Sequence, residues 1–201
     1  MNKQSFSTNR FRSLILPLII IFTAALLRLV PHLPNFAPIG AMALFGGTYL
    51  SKKYSVPAII ATLLLSDYLL LYVNPFIPNW IDFKTLYSPT ALIHSTTPFV
   101  YGSFLLNVLI GWFIAKRKSA PTVVGASLVA SIQFFLVTNF GVWAMGAYSR
   151  GIDGLIQSYI MGLPFFKYTI MGDLFYTALF FGSYEIAASI ILKAKPVHSL
   201  Q

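Results

Sequence analysis

Residues 28–47 read Arg28-Leu-Val-Pro-His-Leu-Pro-Asn-Phe-Ala-Pro-Ile-Gly-Ala-Met-Ala-Leu-Phe-Gly-Gly47, a break between two apolar segments. Pro31, Pro34 and Pro38 each lack a backbone donor and push the preceding residue toward an extended shape. A cation (Arg28), an imidazole (His32) and an amide (Asn35) sit within or beside the break. Gly40, Ala41, Ala43, Gly46 and Gly47 then open a small-residue helix that a neighbouring helix can approach closely. Irregular backbone at membrane depth is tolerated only where protein buries it or it lines a cavity. The stretch is therefore read as the wall of a ligand cavity around which the other segments close.

The membrane enters through composition. Of 201 residues, 57% are hydrophobic and 9% charged, with a mean hydropathy of +0.74. Soluble domains carry about 25% charged residues. The chain is thus predicted to be all-α, a polytopic integral membrane protein of one domain. There is no cysteine, which removes disulfides, thiolate chemistry and cysteine-based metal sites. Lys3, Arg10, Arg12 and the apolar run 13–30 resemble a secretory signal, but the run ends in Arg28-Leu-Val-Pro-His rather than a small-residue cleavage site. It is read as a retained helix.

A spanning helix needs about 20 mainly apolar residues, and six segments are candidates: 13–30, 38–51, 54–73, 95–115, 121–140 and 168–192. The second is short and rich in small residues, so it is either a tilted span or a re-entrant segment. Six spans put both termini on one side. With the N-terminus cytoplasmic, the inner segments hold Lys3, Arg10, Arg12, Lys52, Lys53, Lys116, Arg117, Lys118, Lys193 and Lys195. The outer segments hold only Arg28, Lys84, Arg150 and Lys167. This asymmetry follows the positive-inside rule and accounts for the net charge of +9 without nucleic acid. Residues 1–12 and 193–201 become cytoplasmic tails, and 13–192 a six-helix transmembrane domain.

The inner turns are short, whereas the outer connections 74–94 and 141–167 are long and aromatic, which places the working surface outside. Trp80 and Trp143 also suit an interfacial aromatic belt. Within the spans, Arg28, Asp67 and Asp173 fall at comparable depth, so Arg28 can pair with either carboxylate. Glu185 lies roughly 18 Å deeper than Asp173 at helical rise; it either snorkels inward or pairs with a residue of a partner protein, and its role is left open. Asn107 and Gln133 are read as interhelical hydrogen-bonding amides. Thr138-Asn139-Phe140-Gly141-Val142-Trp143 joins an amide, an aromatic pair and a flexible glycine at the outer mouth of span five. Gly154–Phe166 reads as a short amphipathic helix ending in a proline turn, a cap over the bundle.

The chain has no GxxxxGK[ST] loop, no HExxH and no GxSxG elbow, and only five acidic residues. No catalytic group, metal site or cofactor is expected, and the protein is read as not an enzyme.

Pro31–Ala41 with Ala43–Gly47, Thr138–Trp143, and Gly154-Leu155…Leu163-Pro164-Phe165-Phe166…Gly172-Asp173-Leu174 resemble the signatures of a family of small, uncharacterised bacterial membrane proteins. The resemblance covers about residues 14–192. That family is in turn similar to the substrate-binding S components of energy-coupling-factor vitamin transporters in size, six spans, both ends inside and long outer loops. The resemblance implies a bacterial inner-membrane protein that binds a vitamin or related micronutrient near its outer face. It also implies partnership with a coupling membrane subunit and ATPases. The chain departs from the Ala-x-x-x-Ala dock of many S components, since Ala24 and Ala25 are followed at i+4 by Arg28 and Leu29. That leaves room for a solitary binder or transporter.

The expected pocket has aromatic walls (Phe36, Trp143, Phe166) and polar contacts (Arg28, His32, Asn35, Asn139, Asp173). Two other readings remain: a stand-alone proton-coupled carrier using Asp67 or Asp173, or a non-transporting membrane scaffold. Carriers commonly show internal repeats, and none is visible here.

Overall fold

A computed structural model describes residues 11–73 and 93–193. They form six helices and no β-strand. These are α1 (Leu16–Leu27, continued backward by a π-helical turn, Phe11–Ile15), α2 (Ile39–Tyr49), α3 (Lys52–Leu69), α4 (Thr97–Ile114), α5 (Ala120–Ala144) and α6 (Ile152–Lys193).

Three helices are long and apolar enough to cross a membrane: Thr97–Ile114, Ala120–Ala144 and Ile152–Ile191. Two shorter apolar helices, Ser13–Leu27 and Ile39–Tyr49, accompany them. Large apolar side chains, among them Phe113, Phe175, Ile186 and Ile190, face outward. This is the character of a membrane protein.

The fold is built around α2. Ten of its eleven residues, Ile39 through Thr48, are buried, and a helix apolar on every side belongs inside a bundle. Its small residues let four other helices close on it. A Cβ at Gly46 would press on Ile59 of α3 and Ile21 of α1. One at Gly47 would strike the Val108 carbonyl of α4, and one at Gly111 of α4 would strike the Leu44 carbonyl. At this crossing α2 and α4 therefore meet backbone to backbone. Eleven residues rise about 16 Å, half of a hydrocarbon core of about 30 Å, so the second apolar segment is a half-length buried helix.

Polar side chains tie the other helices to this axis. Asn107 donates to the Gly40 carbonyl (3.4 Å), and Gln133 Nε2 donates to Asn107 Oδ1 (2.6 Å) and the Ser103 carbonyl (2.9 Å). Both amides thus work between helices. Toward the C-terminal end of α2, Phe45 is fully enclosed by the rings of Tyr49, Phe180, Phe181 and Tyr184.

Three expectations are corrected. Residues 154–166 are not a cap ending in a proline turn, because α6 runs unbroken through Pro164. Proline removes one helical hydrogen bond and crowds the preceding turn, but the flanking turns are held from α5. Ser158 donates to the Asn139 carbonyl (2.7 Å), Tyr159 to the Leu136 carbonyl (3.0 Å), and Phe166 stacks on Phe135. Second, the connection expected at 141–167 shrinks to residues 145–151 between α5 and α6. Third, Gly141 is not a flexible joint: it is helical, with the Phe99 ring where a side chain would go. At 42 residues α6 is about 63 Å long, far longer than the predicted span 168–192. Of the connection expected at 74–94, residues 74–92, including Trp80, lie outside the described residues, as does most of each tail.

Candidate functional site

The break after α1 makes a tight turn. The Phe36 N–H donates to the Leu33 carbonyl (2.9 Å), and Asn35 sits at φ +63°. Pro34 and Asn35 are then the two central residues, the Pro-then-positive-φ pattern of a type II turn. Asparagine tolerates this region better than other residues with a Cβ. Asn35 thus has a backbone reason to be where it is, quite apart from its amide.

The turn delivers the chain to Pro38, which caps α2 with no side-chain hydrogen bond. The missing cap comes from another helix. Asp173 of α6, 4% exposed, lays its carboxyl group over Gly40, where a Cβ would collide with it. It accepts from Ser131 Oγ of α5 (2.7 Å) and from the Ala41 N–H. The first N–H groups of a helix lack internal partners, and negative charge there gains about 0.3–1 kcal/mol, up to about 2 when partly buried. Asp173 thereby joins α2, α5 and α6 at one point.

Arg28 pairs with Asp67, not with Asp173. Its guanidinium also donates to Ser66 Oγ (2.7 Å), and Tyr101 of α4 donates to the second oxygen of Asp67. The two side chains are 22% and 16% exposed. The cation is already compensated, so its remaining donors, rather than its net charge, are what it can offer a ligand.

A cavity of about 250 Å³ opens between these groups. Arg28, His32, Asn35 and Asp173 line it with Thr169, and its apolar walls include Val100, Phe104 and Phe134. A second cavity of about 240 Å³ shares Asn35, Phe134 and Thr169 with the first and adds Asn139, Phe135 and Phe166. The two cavities adjoin at these three shared wall residues and together form the candidate cleft. His32 is oriented by a 2.7 Å contact between Nδ1 and the Val30 carbonyl. Asn35 Nδ2 reaches only 3.4 Å from Thr169 Oγ1.

Of the eight residues predicted from sequence, six line this cleft: Arg28, His32, Asn35, Asn139, Phe166 and Asp173. Phe36 and Trp143 do not. Phe36 turns onto Phe175 and Tyr176 of α6, and Trp143 packs on Phe140 with its indole N–H buried and unpartnered among the described residues. Sequence reasoning missed Thr169, Ser131 and Phe134. Thr169 stands four residues before Asp173, one turn away on the same helix face, and that spacing was a usable signal. Nothing in the local sequence of Ser131 marks it. No group of three or more potential metal ligands gathers among the described residues.

No curated protein and no solved structure matches the chain. A family of unknown function, DUF6580, matches it over residues 7–195, and the chain belongs to that family.

Proposed function

We propose that the protein is a multi-pass membrane protein of the bacterial inner membrane that binds a small polar micronutrient, a vitamin or vitamin precursor, for uptake. The observation that carries the reading is the cleft between Asp173 and Arg28. It is mostly apolar with a few convergent polar groups, the usual make-up of a ligand site, and it is built where an irregular break meets a helix N-terminus. Its two lobes, about 250 and 240 Å³, suit a one- or two-ring heterocycle rather than a corrin. The ring faces would lie along Phe134, Phe135 and Phe166, with donors and acceptors on Asp173, Asn35 and Thr169. The charge asymmetry of the connections supports both termini being cytoplasmic and the cleft facing outward.

This is the role of an S component, and it implies a coupling membrane subunit with ATPases to complete transport. A stand-alone proton-coupled carrier is the second reading. Asp173 favours it: among the described residues it is buried without a cationic partner, whereas Asp67 is held by Arg28.

The test is thermal unfolding of the detergent-purified protein against vitamins, their precursors and nucleobases. A ligand at 100 times its Kd adds about 2.7 kcal/mol, which is visible as a raised Tm. A single clear hit, lost in Asp173→Asn, supports the reading. A flat panel with folded protein refutes the binding role.

A further inference from the structure

Away from the cleft, at the C-terminal end of α2, a third cavity of about 310 Å³ lies between α5 and α6. Its walls are small or apolar, among them Ala120, Val124, Ala178 and Gly182, and its rim carries Tyr49, Lys118 and Glu185. Glu185 is exposed on a stretch of α6 whose neighbours Ile186 and Ile190 are also exposed, at 63% and 60%. It is eight residues from the end of the helix, about 12 Å along the axis. Tyr49 touches both Glu185 and Lys118, so Glu185 stands level with the basic turn before α5, where lipid headgroups would lie.

At that level, beside an apolar groove, Glu185 can take a cationic headgroup as its partner. Its carboxylate accepts one hydrogen bond, from Tyr49 Oη at 2.7 Å, and makes no ion pair among the described residues. Lys118 is near but does not supply the charge. Its ammonium lies over the other part of the same tyrosine, 4.5 Å from the ring centroid. One ring therefore separates a cation and an anion at the mouth of an apolar groove, and neither neutralises the other directly.

The geometry points to a site for a phospholipid with an ethanolamine headgroup. The phosphate would sit on Lys118, the ammonium two carbons away would reach Glu185 past the Tyr49 ring, and an acyl chain would fill the groove between α5 and α6. Complementary charge chooses among lipids. A glycerol headgroup leaves Glu185 without a counter-charge. A choline headgroup brings charge but no N–H donors, and charge-assisted hydrogen bonds are the strong ones. Lys52 and Lys53 at the start of α3, and Lys116 and Arg117 beside Lys118, are exposed and add attraction for phosphate.

This inference rests on the proposed membrane insertion, and its test separates the two. The protein is reconstituted in nanodiscs of equal parts phosphatidylethanolamine, phosphatidylglycerol and phosphatidylcholine, and retained lipids are read by native mass spectrometry. The expected result is one ethanolamine lipid held at least several-fold over the others. Glu185→Gln should abolish that preference while lipid is still retained, and Lys118→Ala should lower retention of all three. Both positions are exposed, so circular dichroism should show unchanged helix content. Insertion with no preference, or a preference that survives Glu185→Gln, overturns the site and leaves membrane insertion standing. A chain that stays soluble without detergent overturns the membrane reading itself.

Discussion

The carboxyl group of Asp173 occupies the space that a side chain at Gly40 would need. This one contact joins the opening turn of α2 to the middle of α6, and the candidate cleft is built on it. Gly40→Ala should therefore displace Asp173 and lower both thermal stability and ligand affinity. In an Asp173→Ala background the same substitution should cost less, by more than about 1 kcal/mol, because contacting residues couple on that scale. A double-mutant cycle on Tm measures it, and full additivity would refute the contact. Asp173→Asn leaves one acceptor oxygen for two donors, Ser131 and the Ala41 N–H, so it should fold with a loss of about 1 kcal/mol and bind ligand at least tenfold more weakly.

The backbone crossing of α2 and α4 gives a second expectation. Gly47→Ala and Gly111→Ala put a methyl group into a facing carbonyl, and overpacking of this kind costs about 1–3 kcal/mol. Gly125 and Gly182 have open space where a Cβ would go. Gly125→Ala and Gly182→Ala should leave stability unchanged or raise it by up to about 1 kcal/mol, the helix propensity difference. Thermal unfolding of the four variants in one detergent decides it.

Arg28 is paired before any ligand arrives. Arg28→Met should leave Asp67 uncompensated and lower stability by about 3 kcal/mol, at the lower end of what breaking a buried pair costs. Arg28→Met combined with Asp67→Leu should recover much of the loss. If the single variant unfolds no earlier than wild type while ligand affinity collapses, Arg28 serves the ligand rather than the fold.

Asn35 has two roles that two substitutions separate. Asn35→Gly keeps the positive φ and removes the amide, whereas Asn35→Ala loses both. The alanine variant should be less stable by about 1–2 kcal/mol, the cost of the left-handed region, and the glycine variant close to wild type. Titration of the ligand identified by thermal shift should show both binding more weakly. Retained affinity in Asn35→Gly would make Asn35 a turn residue only.

Several features were legible in the chain alone. The apolar composition, the small-residue run Gly40–Gly47, and the Pro-punctuated break fix an all-helical chain with a kinked entry, because these depend on local backbone restriction and on hydrophobicity. Arg28, His32, Asn35 and Asp173 were also legible as a group, since polar side chains are rare enough in such a chain to stand out.

Only tertiary structure decided the rest. Whether Pro164 ends a helix depends on what holds its flanks, and the holders, Phe135, Leu136 and Asn139, belong to another helix. Which acid Arg28 meets depends on how α1 and α3 are rotated, and that rotation brings Asp67 to it. Phe36 and Trp143 look like pocket aromatics in sequence, yet packing turns them away from the cleft while Thr169 and Phe134 line it. Sequence spacing determines which residues share a helix face, but the direction of that face is set by the neighbours that close on it.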